Sequence, residues 1–196
     1  MDLVLDAAWE VLAQQSYDAT TVEDIARAAE ISVGTLYQLF RSKEDIYREL
    51  VNRQQRRFFE VVGEHVDRAA TPIEQVYATI RAHMELFAEY RKQWKLYLTA
   101  SSGFSRDLKE ELADTVYSDH IVFLQRLTRI CAVGLERGEF RPGVPAELLA
   151  IAILWLPHSF LSRILEQPDE DVATILPSAL EAVHRILGAG GSAPSS

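Results

Sequence analysis

Apolar residues recur every three or four positions along almost the whole chain, which is the period of an α-helix buried along one side. No segment alternates apolar and polar residues for long enough to indicate a β-strand. The pattern therefore predicts an all-α fold of about nine helices. The expected helices cover residues 3–15, 22–29, 33–40, 43–68, 72–90, 93–100, 105–137, 146–167 and a last segment that ends near residue 187.

Capping residues support several of these boundaries. Thr21, Ser32 and Ser42 each stand directly before a predicted helix, where a hydroxyl is able to accept a bond from a free backbone N–H. Asp24 follows Thr21 by three positions, which is the spacing of a capping box. Gly138 follows the long seventh helix and suits a left-handed C-terminal cap.

Two short helices, 22–29 and 33–40, are separated by a turn of only a few residues. This arrangement is typical of the helix-turn-helix, whose second helix enters the major groove of DNA. The second helix carries Gln38, whose amide is able to bond an adenine edge, and Thr35, which is able to bond bases or phosphates. The sequence thus predicts a DNA-binding domain over residues 1–48, a helical domain over 49–187 and a disordered tail over 188–196.

The helix-turn-helix stretch resembles the DNA-binding domain of the TetR family of bacterial transcription regulators. The matching residues are Thr21, Ile25, Ala26, Ala29, Ile31, Ser32, Gly34, Thr35, Leu36, Tyr37, Phe40, Lys43 and Glu44. The resemblance implies a homodimer that binds a palindromic operator in double-stranded DNA. It also implies repression that ends when a small-molecule effector enters the C-terminal domain.

The same resemblance implies roles for individual residues. Phosphate contacts fall to Thr21, Tyr37 and Lys43. The residues expected to face the groove are Ser32, Val33, Gly34, Thr35 and Gln38.

Two features depart from the family pattern. Family members commonly carry glycine where this chain has Glu30, at a turn position that often needs a positive φ. Glu30 therefore implies a different turn geometry or some backbone strain. The family also often has a basic stretch before the first helix, and no such arm is expected here because the chain begins almost at that helix.

Charge argues both for and against contact with DNA. The net charge is −9, and the first 50 residues hold four basic and ten acidic side chains. Residues 31–43, however, contain Arg41 and Lys43 and no acid. This distribution predicts local DNA contact of modest affinity with a shallow salt dependence. The alternative is a TetR-like protein that has lost DNA binding and acts as a protein- or ligand-binding module.

Aromatic side chains with polar tips are concentrated in the middle of the chain, as ligand pockets often require. The alternative is that most of them fill the core. The candidate pocket residues are Met84, Phe87, Trp94, Tyr97, Tyr117, His120 and Phe123, and His83 is also able to line the pocket. His83 and His120 lack the spacing of a metal pair on one helix, so no metal or other cofactor is expected. No catalytic motif is present, and the chain is not expected to be an enzyme.

The last two predicted helices are more apolar than one packed face requires. They suit a four-helix dimer interface to which each subunit contributes two helices, and the alternative is that they form an internal core. The expected interface residues are Leu148, Ala152, Trp155, Phe160, Ile175, Ala179 and Val183.

The sequence also indicates a cellular compartment. Cys131 is the single cysteine, so no intrachain disulfide is possible. No apolar run approaches the roughly 20 residues that span a bilayer, and no secretory signal is visible. These features predict a cytoplasmic protein without a membrane partner.

Overall fold

The computed structural model describes residues 1–91, 106–166 and 171–189, and all regular structure in these residues is α-helical. The predicted all-α class is confirmed. The helix expected at 93–100 and the tail from residue 190 lie outside the described residues. The eight described helices are α1 Asp2–Gln14, α2 Val22–Ala28, α3 Val33–Leu39, α4 Lys43–Asp67, α5 Pro72–Glu89, α6 Arg106–Glu136, α7 Ala146–Glu166 and α8 Val172–Leu187.

The predicted caps set the starts of the short helices. The Thr21 hydroxyl accepts a hydrogen bond from the Asp24 N–H at 3.1 Å, and the Asp24 carboxylate accepts one from the Thr21 N–H at 3.2 Å. Ser32 accepts from the Thr35 N–H at 3.0 Å, and Ser42 accepts from the Asp45 N–H at 3.1 Å. Each cap satisfies backbone donors that have no partner within the helix.

The described residues form two compact units. The first contains residues 1–57 together with 106–118 of α6, and the second contains 58–91 and 119–189 without the undescribed 167–170. Helix α4 contributes residues to both units.

The first unit has a core built from α1, α2, α3 and the first half of α4. Ala26 and Ala29 are buried small residues on the second helix and its cap, and they let the helices approach closely. Burial of each large apolar side chain stabilises the fold by about 1.5–3 kcal/mol. The main large residues of this core are Leu5, Leu12, Ile25, Leu36, Phe40, Ile46 and Leu50.

The second unit is organised around α5, which packs against both α7 and α8. At the end of α6, Gly138 has φ 71° and closes the helix as predicted. One turn earlier, a Cβ on Gly134 would overlap the buried ring of Phe140, so glycine is required there for packing. The large fully buried residues of this unit include Ile80, Met84, Phe87, Leu127, Leu149, Ile153 and Leu180.

Candidate nucleic-acid interface

The turn between α2 and α3 depends on a residue in the left-handed conformation. Glu30 has φ 55°, its N–H donates to the Arg27 carbonyl at 3.2 Å, and the Ile31 N–H donates to the Ala26 carbonyl at 3.0 Å. These two bonds define a Schellman motif, which usually places glycine at the left-handed position. A side chain in this conformation costs roughly 1–2 kcal/mol. The turn therefore keeps the glycine geometry and carries strain at Glu30.

Apolar contacts on one side of α3 determine which side faces outward. Leu36 and Phe40 are buried in the core of the first unit, and Val33 packs against that core while half-buried. The opposite side is open to solvent: Tyr37 is 53% exposed, and Gln38 is also exposed. Helix α3 thus presents a polar surface to any partner.

The residues expected in the groove differ in what they are free to contact. The Ser32 hydroxyl is occupied by its cap and lies 2.8 Å from the Thr35 hydroxyl. Val33 is directed partly into the core. Gly34, Thr35 and Gln38 remain exposed and are best placed to meet DNA.

Gly34 is not required by the packing of its own chain. A Cβ at this position would meet the Ser32 hydroxyl oxygen at 3.7 Å, which is an ordinary van der Waals distance. Glycine in the first turn of a helix lowers helix stability relative to alanine. The missing side chain is consistent with close approach of an external partner to the backbone.

Lys43, an expected phosphate contact, is tied into the first unit. Its ammonium donates to the carbonyl oxygens of Tyr17 at 2.9 Å and Thr20 at 3.0 Å, and it lies 4.2 Å from the centre of the Tyr17 ring. Two of its three N–H donors are therefore occupied. Sequence reasoning missed this role, because its partners lie more than twenty residues earlier in the chain.

Tyr17 is part of the same anchor. Its buried ring packs edge-on against the Tyr47 ring at a centroid distance of 5.1 Å. Burial, assisted by the nearby carboxylates of Glu44 and Asp18, raises the pKa of Tyr17 to about 12. The phenol therefore stays neutral at physiological pH beneath the Lys43 charge.

Thr21, the second expected phosphate contact, has an acidic neighbour. Its hydroxyl donates to the Asp24 carboxylate at 2.7 Å, and this bond, together with the backbone bond from Thr21, lowers the pKa of Asp24. Arg27 pairs with the same carboxylate at 3.1 Å. A phosphate near Thr21 would therefore meet a carboxylate and a guanidinium together.

Positive charge is also present at the start of α4. An open concavity there is lined by Arg41, Ser42, Asp45 and Arg48. The Arg48 guanidinium pairs with Asp45 at 2.7 Å, whereas the exposed Arg41 bonds Asp45 through its backbone N–H at 3.0 Å. Arg41 therefore has an exposed charged side chain shortly after the end of α3.

The chain was compared with known proteins. Residues 4–50 match the model of the bacterial regulatory proteins of the tetR family. The fatty acid metabolism regulator protein of Bacillus subtilis (strain 168) is 25% identical over 179 residues, which are 91% of this chain and 90% of that protein. The HTH-type transcriptional regulator YhgD of the same strain is 30% identical over 156 residues, which are 79% of this chain and 78% of that protein.

This chain belongs to the TetR family of bacterial regulatory proteins. Its relatives are named as regulators, so the family is one of transcription regulators and not of enzymes. The crystal structure of the transcriptional regulator FadR from Bacillus subtilis in complex with stearoyl-CoA shares the TetR fold. Its TM-score is 0.75 at 24% identity, covering 92% of this chain and 96% of that one.

The second unit of this TetR-family chain brings several of the predicted pocket residues together. Met84, Phe87, His120 and Phe123 are all buried. Trp94, Tyr97 and the side chain of Tyr117 lie outside the described residues.

The His83 ring, which the sequence also suggested for the pocket, lies in the same aromatic cluster and shares one face of α5 with Phe87 at a spacing of four. Sequence reasoning missed four further rings of this cluster, because helices far apart in the chain contribute them. They belong to Phe58, Phe59, Trp155 and His158. Within the described residues, no three histidine, cysteine or acidic side chains are placed to hold a metal ion.

The expected dimer residues divide into three groups by burial. Ile175, Ala179 and Val183 are buried within their own chain, and Ala152 and Phe160 are half-buried. Leu148 is 56% exposed and Trp155 is 53% exposed, and Ile151 lies between them on the same side of α7. These last three residues form an exposed apolar stripe, which we call the α7 stripe.

None of the described helices is long and apolar enough to cross a membrane.

Proposed function

We propose that this TetR-family protein is a ligand-responsive transcriptional repressor that binds a palindromic operator as a homodimer. In this proposal, residues 1–48 are the DNA-binding domain and residues 49–187 are the effector-binding and dimerisation domain. The observation that carries the proposal is the exposed polar side of α3, held outward by the buried Leu36 and Phe40. A second helix with this exposure suits the major groove.

Contacts to the bases fall to exposed residues of α3. Gln38 is able to bond an adenine edge through both atoms of its amide, and Thr35 presents a hydroxyl and a methyl group. Gly34 allows the phosphate backbone or the groove wall to approach the helix closely. Ser32 and Val33 complete the groove-facing surface, Ser32 chiefly by holding the first turn of α3.

Contacts with the DNA phosphates hold the domain in position on the duplex. The exposed hydroxyl of Tyr37 and the side chain of Arg41 supply donors, and Lys43 contributes its charge and one remaining N–H. Thr21 contributes through the N-terminal end of α2, although Asp24 reduces the favourable potential there. Few phosphate contacts imply a shallow dependence of affinity on salt.

The α7 stripe supports dimerisation. Leu148, Ile151 and Trp155 occur at a spacing of three and four residues, so they expose one continuous apolar side. Covering that side with the same stripe of a second copy removes it from water, and two-fold symmetry places two recognition helices on one operator. Ala152 and Phe160 of the same helix are half-buried, and Ile175, Ala179 and Val183 are buried within their own chain.

An effector would bind at the aromatic cluster of the second unit and act on DNA binding through α4. Phe58 of α4 stacks on Phe87 of α5 at 5.4 Å, and Phe59 of α4 packs against His120 of α6 at 5.0 Å. A ligand that separates these rings displaces α4, a single helix that begins at Lys43 beside α3. Displacement of α4 would change the spacing of the two recognition helices, which couples the two sites.

Fluorescence anisotropy with the DNA upstream of the protein's own gene tests the proposal. Wild-type protein is expected to bind one palindromic segment more tightly than scrambled DNA, with two subunits per duplex. Gln38→Ala should weaken discrimination at one symmetric pair of bases, and Gln14→Ala, an exposed glutamine of α1, is the matched control. Absence of DNA binding even at low salt would contradict the proposal.

A further inference from the structure

Three helices of the second unit each contribute a histidine to the aromatic cluster. They are His83 of α5, His120 of α6 and His158 of α7. The His120 and His158 ring centroids lie 5.8 Å apart, and those of His83 and His158 lie 6.3 Å apart. The Trp155 ring stacks on His120 at 5.5 Å and contacts His158 at 4.9 Å. We call this group the histidine cluster.

The hydrogen bonds of two of these histidines determine where their protons lie. The Nδ1 of His83 is 2.9 Å from the Thr79 carbonyl oxygen, and the Nδ1 of His158 is 3.2 Å from the Leu154 carbonyl oxygen. A carbonyl oxygen only accepts, so each Nδ1 must carry the proton and donate it. In the neutral ring the other nitrogen, Nε2, is then an acceptor with a free lone pair.

Both rings are neutral at physiological pH. Burial, with a smaller effect of the other two histidines, lowers the pKa of His83 to about 3. Burial and the neighbouring His120 lower the pKa of His158 to about 4. His83 and His158 thus present acceptors among aromatic rings and carry no positive charge.

The Nε2 of His83 is buried and makes no hydrogen bond with any described residue. A buried acceptor that has lost its water without gaining a donor is uncommon, because the lost hydrogen bond is not replaced. The Nε2 lies at the end of the ring away from the His83 backbone, and Phe58, Phe87 and Phe123 surround the ring. A donor that reaches this atom must therefore be carried on a body compatible with an aromatic environment.

We propose that the effector is an apolar molecule bearing a hydroxyl or a comparable neutral hydrogen-bond donor, and that the Nε2 of His83 accepts the bond from this donor. The inference rests on the proposed ligand-responsive function and names the class of its ligand. A ketone or an ether offers only acceptors and would place a lone pair against that of His83. Among the described residues, the charges that act on His83 come from the other two histidines, so no carboxylate acts on its ring.

This class of ligand is tested with two probe molecules that differ only in the hydrogen-bond donor. 4-Octylphenol and its methyl ether are titrated into the full-length protein at pH 7.5 without DNA, and isothermal titration calorimetry measures both affinities. The phenol is expected to bind about tenfold more tightly than the ether, the effect of one buried hydrogen bond. His83→Phe should abolish this difference while retaining binding of the ether.

His65→Phe is the matched control. His65 is a half-buried histidine of α4 whose Nδ1 lies 2.8 Å from the Val61 carbonyl oxygen, at the same spacing along the helix. This variant should keep the full preference for the phenol. The ¹⁵N resonance of the His83 Nε2 in wild-type protein reports a hydrogen bond to this atom without any substitution at His83. It should shift when the phenol binds and remain unchanged with the ether.

Several results would overturn the inference. They are equal affinities for the phenol and the ether, no binding of the phenol up to its solubility, or an unchanged Nε2 resonance in the phenol complex. Tighter binding of the charged analogues 4-octylbenzylammonium or 4-octylbenzoate would also overturn it. Because these titrations contain no DNA, their failure is distinct from a failure to bind the operator.

Discussion

The ammonium of Lys43 lies 4.2 Å from the centre of the Tyr17 ring and donates a hydrogen bond to the carbonyl oxygen of Tyr17 at 2.9 Å. A second bond, to the Thr20 carbonyl oxygen at 3.0 Å, ties the first residue of α4 to the segment between α1 and α2. The helix-turn-helix lies between these two points of the chain. Lys43 therefore holds the first unit together as well as adding positive charge to it.

Two measurements on a Lys43 variant separate its contribution to stability from its contribution to DNA affinity. Lys43→Met should lower the free energy of unfolding by about 1–3 kcal/mol, because two carbonyl bonds and the contact with the Tyr17 ring are lost. Arg41→Met is the matched control, since loss of the exposed Arg41 side chain should lower DNA affinity with little change in stability. Urea denaturation measures the first effect and anisotropy the second. Unchanged stability of Lys43→Met would show that the bonds to Tyr17 and Thr20 contribute nothing to folding.

Gly34 tests how closely DNA approaches α3. Gly34→Ala should leave the fold intact and stabilise it by roughly 0.5–1 kcal/mol, because alanine favours the helix and the methyl group has room. Operator affinity should nevertheless fall, since the methyl group occupies space at the interface. Denaturation and anisotropy on the same preparation check both results. A variant that is more stable and binds DNA normally would show that Gly34 does not lie at the DNA interface.

Glu30 tests the strain in the turn. Glu30→Gly should raise the free energy of unfolding by up to about 1 kcal/mol, because glycine adopts φ 55° without steric cost. Glu10→Gly makes the same change at an exposed position inside α1 and should lower stability by about 1 kcal/mol. If guanidinium denaturation shows changes of opposite sign in the free energy of unfolding of the two variants, backbone strain at Glu30 is supported. A loss of stability in both variants would argue against it.

The buried histidines make stability depend on pH. Their pKa values in the folded protein, about 3 for His83 and about 4 for His158, lie below the usual value of an unfolded histidine, near 6.5. The unfolded chain therefore binds more protons, so stability is complete above about pH 6.5 and falls as the pH drops below it. Each group should contribute up to about 1.4 kcal/mol per pH unit to this slope.

His83→Phe should therefore flatten the slope between pH 7 and pH 5, and His158→Phe should act in the same direction. The free energy of unfolding from urea titrations across this interval measures the slope. This range lies above the usual pKa values of carboxylates, so Asp24 and Glu74, whose pKa values are lowered further by their caps, stay ionised. An unchanged slope in His83→Phe would contradict the buried neutral state of this ring.

Replacement of Leu148 tests the proposed dimer interface. Leu148→Asp places a charge in the α7 stripe and should convert the dimer to a monomer in light scattering, because a charge buried without a partner is costly. Operator affinity should fall with it. Val122→Asp is the matched control, since Val122 of α6 is also an exposed apolar residue. A Leu148→Asp variant that remains dimeric at micromolar concentration would place the interface elsewhere.

Local sequence determined the helices and their boundaries. Thr21, Ser32 and Gly138 act on backbone groups within a few residues of themselves, so their effect is readable without the rest of the fold. The apolar spacing along α3 likewise predicted which side is buried. The position of Glu30 marked the turn, although its actual φ was open until the backbone was known.

Tertiary structure decided which partners distant residues find. The Lys43 side chain bonds carbonyl oxygens more than twenty residues away, and the histidine cluster assembles residues from three helices. Helical periodicity shows that a side is apolar but not what covers it. Packing buries Ile175 and Val183 inside the chain and leaves Leu148 and Trp155 at the surface, because burial depends on how the helices are arranged in space.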